Sequence, residues 1–213
     1  RYGTNQEGPV EIQLAVSRDL HDWQRPFRTP AIEIGRLDQW DASCHMTSAE
    51  AVRVGDEIRL YYAGGNYTHG TPALFHDAHP DSGLSTGRKT KYTSSIGMVT
   101  WQLDRFVSAD GPAEGGELTT TPIVFSGDHL QINARTKTGG RVQVELLDAG
   151  GRPLDGFGKS EPFAGDSLRH RVRWPGGADV AALRGRPVTL RFHLAGAELF
   201  SFAFRNAPDS NVP

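Results

Sequence analysis

Two carboxylates, Asp41 and Glu50, lie nine residues apart in a polar segment that also holds His45. A pair of carboxylic acids can divide the roles of acid and base, or of acid and nucleophile, when both face one reacting group. We name Asp41 and Glu50 as the candidate catalytic residues. A second interpretation stays open for Glu50, because a glutamate at this position also suits the exposed face of an ordinary strand.

A polar, glycine-rich loop at 64–70 follows the same segment and contains Asn66, Tyr67 and His69. Imidazole, amide and phenol groups can hydrogen-bond the hydroxyl groups of a ligand, and a loop at the end of a rigid strand pair is a common place for such groups. A histidine that contacts only water is the alternative interpretation for His69. The predicted binding residues are His69, Asn66, Tyr67, Tyr62, Trp40, His45 and Arg88.

The surrounding elements are predicted to be strands. Residues 54–57, Val-Gly-Asp-Glu, form a turn signal between two strand-like runs, and residues 58–63 are rich in the β-branched and aromatic side chains that suit a sheet. Neighbouring strand residues point to opposite faces, so only one of Tyr61 and Tyr62 can face a site. The loop that begins at Gly64 is predicted to be too polar for the core.

The rest of the first half predicts further strands. Residues 10–16 alternate apolar and polar side chains, as a half-buried strand does, and Ser17 and Asp19 favour a turn that brings Trp23 back onto the sheet. Trp23, Trp101 and Trp174 are predicted to be core residues. Residues 95–101 predict a strand and 104–108 a further turn and strand. The long polar region 66–95 is predicted to be functional or disordered.

The second half has a different pattern. We predict a linker at 110–116, followed at 117–205 by about seven short strands separated by glycine turns, and a tail at 206–213. This punctuation favours a β-sandwich, jelly-roll-like in form. Residues 179–183 predict one short helical turn capped by Asp179.

Composition excludes several classes of function. The chain has 213 residues and a net charge of −2, with 11 basic and 13 acidic residues in 1–109, so no basic surface for nucleic acid is expected. No run approaches the roughly 20 apolar residues of a membrane span. Cys44, the single cysteine, rules out an internal disulfide. The start, Arg1-Tyr2-Gly3-Thr4, is interpreted as an internal cut or a processed end.

Four stretches of the first half form a recognisable set: Ile-Gln-Leu-Ala-Val-Ser-Arg-Asp-Leu-His-Asp-Trp at 12–23, Trp-Asp-Ala-Ser at 40–43, Leu-Tyr-Tyr-Ala-Gly at 60–64, and Ser-Ile-Gly-Met-Val-Thr with Asp-Arg-Phe-Val-Ser at 95–108. They resemble the blades of the five-bladed propeller glycoside hydrolases, families 32 and 43 and their relatives. The pieces Gly-Asp-Ser-Leu at 165–168, Leu-Arg-Gly-Arg-Pro-Val at 183–188 and Ala-Glu-Leu-Phe-Ser-Phe at 197–202 resemble the C-terminal β-sandwich of family-32-like proteins from environmental bacteria.

This resemblance implies an all-β chain in which residues 1–109 supply about two to three closing blades of a propeller and 117–205 an accessory β-sandwich. Asp41 would begin the innermost strand of its blade and, with the loop of His69, would face a central funnel. The implied activity is hydrolysis of a glycosidic bond in an oligo- or polysaccharide, for example a fructan- or arabinan-like one, by a secreted or periplasmic enzyme. The Asn-Asp-Pro, Arg-Asp-Pro and Glu-Cys segments of these families are absent, so an upstream fragment or a second chain is expected to complete the propeller.

Two alternatives remain from the sequence. A non-catalytic carbohydrate-binding or scaffold protein could share this architecture.

The segment His76-Asp77-Ala78-His79 has metal-ligating side chains, but its spacing matches no closed metal site, so we interpret it as a solvated loop. We expect no cofactor, with a structural Ca²⁺ ion as the one exception considered.

Overall fold

The computed structural model describes residues 8–69 and 93–206. The chain divides into two compact units, Arg1–Leu103 and Asp104–Pro213. The described residues consist of strands and loops with no α-helix, which confirms the all-β class. Their one helical turn is a 3₁₀ turn at Val180–Leu183, and Oδ1 of Asp179 caps it by accepting a hydrogen bond of 2.9 Å from the amide of Ala181.

The first unit contains a hairpin and a four-stranded antiparallel sheet. The hairpin joins β1 to β2, and in the sheet the central strand β5 pairs with β6 along one edge, while β3 and β4 share its other edge. The predicted turn at 54–57 is confirmed, with Gly55 at φ +61° between β4 and β5. The strands are β1 Val16–Ser17, β2 Trp23–Gln24, β3 Cys44–Thr47, β4 Val52–Val54, β5 Glu57–Gly65 and β6 Ser94–Gln102.

The β1–β2 hairpin confirms the predicted turn, but the predicted position of Trp23 in the core is not observed. Oδ1 of Asp19 accepts hydrogen bonds from the amides of Asp22 and His21, and these bonds hold the pKa of Asp19 below its ordinary value. Trp23, however, is 57% exposed, so its assignment to the core is wrong. Its indole N–H donates to the carbonyl of Leu20 within the turn.

The predicted strand at 10–16 is also wrong. Val10 pairs with Cys44 in parallel, whereas Ile12 pairs with Ile32 in the antiparallel sense, each as an isolated bridge. The segment therefore changes partner within two residues and forms no continuous ladder. One four-stranded sheet and one hairpin are present in 8–69 and 93–103, so two or more complete blades are not confirmed for this part of the chain.

The second unit is built on two long antiparallel strands, β10 and β12, which pair along most of their length. Strand β11 pairs with β10, and β7, β8 and β9 pair in succession with the other edge of β12. The strands are β7 Ala109–Gly111, β8 Gly116–Thr119, β9 Ile123–Val124, β10 His129–Asp148, β11 Asp166–Arg171 and β12 Pro187–Arg205.

The glycine turns predicted two short strands at 130–134 and 142–147, but both lie in the single strand β10. The strands predicted at 188–194 and 199–204 likewise lie in the single strand β12. The Gly139-Gly140 pair does not reverse the chain: residues 137–140 of β10 bulge opposite Gly196 of β12, and pairing resumes on both sides. A Cβ on Gly140 would collide with the carbonyl oxygen of Gly196, and Gly196 itself has φ +51°. Glycine at these positions thus permits a bulge, which bends a strand without ending it.

The predicted linker 110–116 is wrong as well. Ala109–Gly111 form β7 and pair with β12, so the segment belongs to the second unit, which begins at Asp104. The strand predicted at 104–108 does not form, and Asp104 has φ +61° in a turn.

The core of the second unit lies on one face of the β10–β12 pair. Ile132, Val144, Leu190 and Phe192 are at most 1% exposed, and Trp174 is buried as predicted. All six strands belong to one sheet. A β-sandwich is therefore not confirmed, although the bulge allows this sheet to bend.

Candidate functional site

Asp41 lies in a turn three residues before β3, and its carboxylate is held from β5. The hydroxyl of Tyr62 donates a hydrogen bond of 2.9 Å to Oδ2 of Asp41. Burial, together with this bond to Asp41, raises the pKa of Tyr62 to about 12. Tyr62 therefore keeps its proton at neutral pH and remains a donor to the carboxylate.

Three glycines leave the space that this arrangement occupies. A Cβ on Gly97 would lie 2.5 Å from the ring of Tyr62, so the ring lies directly over the bare backbone of β6. A Cβ on Gly64 would lie 2.8 Å from the Cβ of Asp41, and one on Gly35 would collide with its Oδ1. The carboxylate position therefore depends on residues from three separate segments.

His45 supports the same turn from beneath. Its Nε2 donates a 2.8 Å hydrogen bond to the backbone carbonyl of Asp41, and its ring lies 4.8 Å from that of Tyr62. His45 is fully buried, so its side chain presents no exposed surface to a ligand in this structure. Among the described residues its Nδ1 has no hydrogen-bond partner. The ring positions Asp41 instead.

Trp40 completes the cluster. Its indole stacks on the ring of Tyr62 with centroids 5.8 Å apart and planes 16° apart. The side chain of Asp41 remains 15% exposed, whereas that of His45 is not exposed at all. One edge of the carboxylate is thus open to solvent while its other contacts fix its orientation. We call Trp40, Asp41, His45 and Tyr62 the Asp41 cluster.

The polar loop after β5 begins later than predicted. Gly64 and Gly65 belong to β5 and are buried with Asn66, so this part is not the exposed loop that was expected. Asn66 exchanges two hydrogen bonds with Thr93: its amide donates to the carbonyl of Thr93, and its Oδ1 accepts from the amide of Thr93. Asn66 therefore fastens the start of β6 to the end of β5.

Tyr67 and His69 lie beyond this fastening point and are half-buried. The ring of Tyr67 packs over Gly65, and the amide of His69 donates a 3.1 Å hydrogen bond to the carbonyl of Gly8. The same N-terminal segment pairs through Val10 with Ser43 and His45. The backbone therefore joins the loop of His69 and the Asp41 turn through one segment.

Glu50 is not part of this arrangement. Glu50 is exposed, as the alternative interpretation expected, but it lies in the loop between β3 and β4 and not on a strand. Its carbonyl accepts a hydrogen bond from the hydroxyl of Ser48. Arg88 lies outside the described residues, as do His76, Asp77 and His79. Within 8–69 and 93–206, no group of three or more His, Cys, Asp or Glu side chains could hold a metal ion.

Sequence reasoning found the four members of the Asp41 cluster but missed what supports them. Gly35, Gly64 and Gly97 are required by close contacts that a pattern of strands does not reveal. The pairing of Asn66 with Thr93 spans 27 residues and has no local signal. Only the alternation rule for Tyr61 and Tyr62 carried spatial information, and it is confirmed: Tyr61 is 47% exposed, on the opposite face from Tyr62.

Comparisons of the chain with protein-family models, curated proteins and solved structures gave no match. Among the described residues there is no long apolar helix of the kind that crosses a bilayer.

Proposed function

We propose that this chain is a family-32-like glycoside hydrolase, or the C-terminal portion of one, that hydrolyses a glycosidic bond in an oligo- or polysaccharide. The observation that carries the proposal is the oriented, partly exposed carboxylate of Asp41. Tyr62 holds one of its oxygens, and His45 holds its backbone. Glycoside hydrolysis requires a carboxylate with a fixed position beside the anomeric carbon.

The hydrogen bond from Tyr62 favours one of the two carboxylate roles. Tyr62 donates to Asp41, so the carboxylate acts as an acceptor and suits the base or nucleophile better than the general acid. The stacked ring of Trp40 adds an apolar surface next to it. A sugar ring packs its C–H face on such a surface while its hydroxyl groups reach the carboxylate.

The general acid requires a second carboxylate about 5–9.5 Å away. Glu50 lies in an exposed loop outside the Asp41 cluster, so we do not assign it this role. In the family that the sequence resembles, the general acid belongs to a middle blade. We therefore propose that another blade contributes it.

The outer face of the four-stranded sheet favours such an addition. Six apolar side chains from all four strands lie on this face and are 44–74% exposed: Met46, Val52, Val54, Tyr61, Ile96 and Met98. Arg59 and Glu57 on the same face form an ion pair of 2.8 Å with each other, so they leave little net charge. We propose that the apolar face of a neighbouring blade, from an upstream fragment or a second chain, packs here.

The test is turnover of fructan and arabinan oligosaccharides, followed by chromatography of the released sugars. Wild-type protein should release sugar, whereas Asp41→Asn should bind the same oligosaccharide and release none. If the chain alone is inactive, the assay is repeated with the upstream polypeptide added. Absence of turnover in both forms would contradict the proposal.

A non-catalytic carbohydrate-binding protein is the second candidate. The Asp41 cluster favours it because the cluster contains a single carboxylate, which can bind a saccharide but lacks the partner that hydrolysis requires. Binding without turnover by the completed protein would identify this function. We propose a secreted or periplasmic location for either form, by the same resemblance.

A further inference from the structure

A cavity of about 520 Å³ lies in the second unit, where β11 ends. One wall is the segment from Arg171 to Trp174, and the facing parts are Asp128 with His129 and the glycine turn at Gly176 and Gly177. Its volume falls within the roughly 300–1,000 Å³ typical of small-molecule sites. All of its lining residues belong to the second unit, whereas the Asp41 cluster belongs to the first.

Hydrogen bonds hold the wall formed by residues 171–174 in place. Trp174 is 4% exposed, its indole N–H donates a 3.1 Å hydrogen bond to the carbonyl of Val144, and its ring packs edge-on against Phe157 at 5.4 Å. The amide of Val172 donates to the carbonyl of Leu130. Trp174 therefore offers only carbon atoms to a ligand, and binding requires little reorganisation of this wall.

Asp128 and His129 form one side of the cavity, and Gln131 extends their chain of hydrogen bonds. The imidazole of His129 is 8% exposed, and its Nδ1 contacts Oδ1 of Asp128 at 2.5 Å. Its Nε2 lies 2.9 Å from Nε2 of Gln131, which is an amide donor. With Nδ1–H donating to Asp128, Nε2 accepts from Gln131, so the orientation of the ring is set at both nitrogens.

The rim carries charges of both signs. Arg171 and Arg173 are exposed on one wall, and Glu161 is exposed beside them, with its amide bonded to the carbonyl of Arg173. Within the described part of the chain, these three side chains make no hydrogen bond or ion pair. Burial, and then the charge of Arg173, lowers the pKa of the neighbouring His170. Two guanidinium groups and one carboxylate are therefore available to a ligand.

We propose that this cavity binds a neutral saccharide unit, as a second carbohydrate site separate from Asp41. The negative charges of Asp128, Glu161 and Asp179 offset the positive charges of the two arginines. The rim therefore has no single charge sign that would attract an anion or a cation. A sugar hydroxyl both donates and accepts, so adjacent hydroxyls pair with a carboxylate and a guanidinium together. The apolar contact for the ring is small, because Trp174 is only 4% exposed, so the hydroxyl contacts carry most of the binding. The choice of sugar rests on the proposed function.

The experiment is calorimetric titration of the full chain with neutral fructan and arabinan oligosaccharides, with citrate and inorganic phosphate as anion probes. Glu161→Gln and Arg173→Gln should each weaken saccharide binding about tenfold, the usual effect of losing one charged hydrogen bond. Glu114→Gln and Arg186→Gln change exposed residues of the same types away from the cavity and should bind as wild type does. Thermal unfolding of each variant confirms that it folds.

The readouts separate this site from the proposed function. Asp41→Asn should abolish turnover and leave saccharide binding at this cavity unchanged, so the loss of one readout does not imply the loss of the other. Unaltered binding in Glu161→Gln and Arg173→Gln would overturn the proposal. So would binding of citrate or phosphate in preference to every saccharide, or the absence of any saccharide binding.

Discussion

The hydroxyl of Tyr62 donates a 2.9 Å hydrogen bond to Oδ2 of Asp41, which lies 21 residues earlier in the chain. This bond connects the central strand of the first sheet to the turn that precedes β3. It is the contact that gives the exposed edge of Asp41 a fixed direction. The properties of the Asp41 cluster can be tested by changing the two partners and the glycines beneath them.

Removal of the Tyr62 hydroxyl should loosen the Asp41 turn. Tyr62→Phe keeps the ring that stacks on Trp40 and loses only the bond to a carboxylate, so the free energy of unfolding should fall by about 1–3 kcal/mol. Urea denaturation measures this change. Tyr61→Phe is the matched control, because Tyr61 is 47% exposed on the opposite face and should unfold as wild type does. Equal stability of the two variants would contradict the assignment.

Gly97 should tolerate no side chain. In Gly97→Ala the added Cβ would lie 2.5 Å from the Tyr62 ring, so the ring must move away from Asp41. Overpacking of this kind costs about 1–3 kcal/mol, seen as a lower urea midpoint. Gly158→Ala, where no atom lies within 4 Å, should leave the midpoint unchanged. A wild-type midpoint for Gly97→Ala would show that the ring is free to shift.

Tyr62 should ionise at a higher pH than an ordinary tyrosine does. Its pKa is raised to about 12 in the folded protein, against about 10 when unfolded. The stability that it contributes is complete below pH 10 and is lost as the pH rises towards 12. Absorbance titration of tyrosinate should therefore show one group ionising above the others. The ionisation at high pH should be missing in Tyr62→Phe. If the variant still shows it, the ionisation belongs to another tyrosine.

The second unit should lose stability in acid partly through Asp166. The hydrogen bond from Arg105 holds the pKa of Asp166 below its ordinary value, so its contribution is present above about pH 4 and is lost as pH falls through the lowered pKa. Asp166 is 54% exposed, so the effect is small. Asp166→Asn should flatten the dependence of the free energy of unfolding on pH below pH 4. A wild-type slope in Asp166→Asn would contradict this role of Asp166.

Local patterns predicted the parts of this fold that depend on neighbouring residues. The turn at Gly55, the strands β5 and β6 and the cap at Asp179 all follow from turn chemistry, alternation or a single capping oxygen. Each involves contacts within a few residues. The all-β class follows from the same signals repeated along the chain.

Features that depend on distant contacts could not be predicted in this way. Gly139-Gly140 is a turn signal in sequence, but its backbone meets Gly196, and this contact makes a bulge in a continuous strand. The composition of 110–116 resembles a linker, yet β7 is held by β12, far along the chain. In the same way, the polar sequence around His45 predicted a contact with a ligand. In the folded chain its ring is buried and donates a hydrogen bond to the backbone carbonyl of Asp41.

The most direct test of the account is the turnover number of Asp41→Asn relative to Asp38→Asn, measured on the best oligosaccharide substrate of the complete enzyme. Asp38 lies exposed in the same loop, so its substitution controls for a change of charge near the site. We expect Asp41→Asn to reduce turnover at least about 100-fold, as loss of a catalytic acid or base does, while Asp38→Asn stays within twofold of wild type. Equal turnover by the two variants would contradict the assignment of Asp41 and, with it, the proposed function.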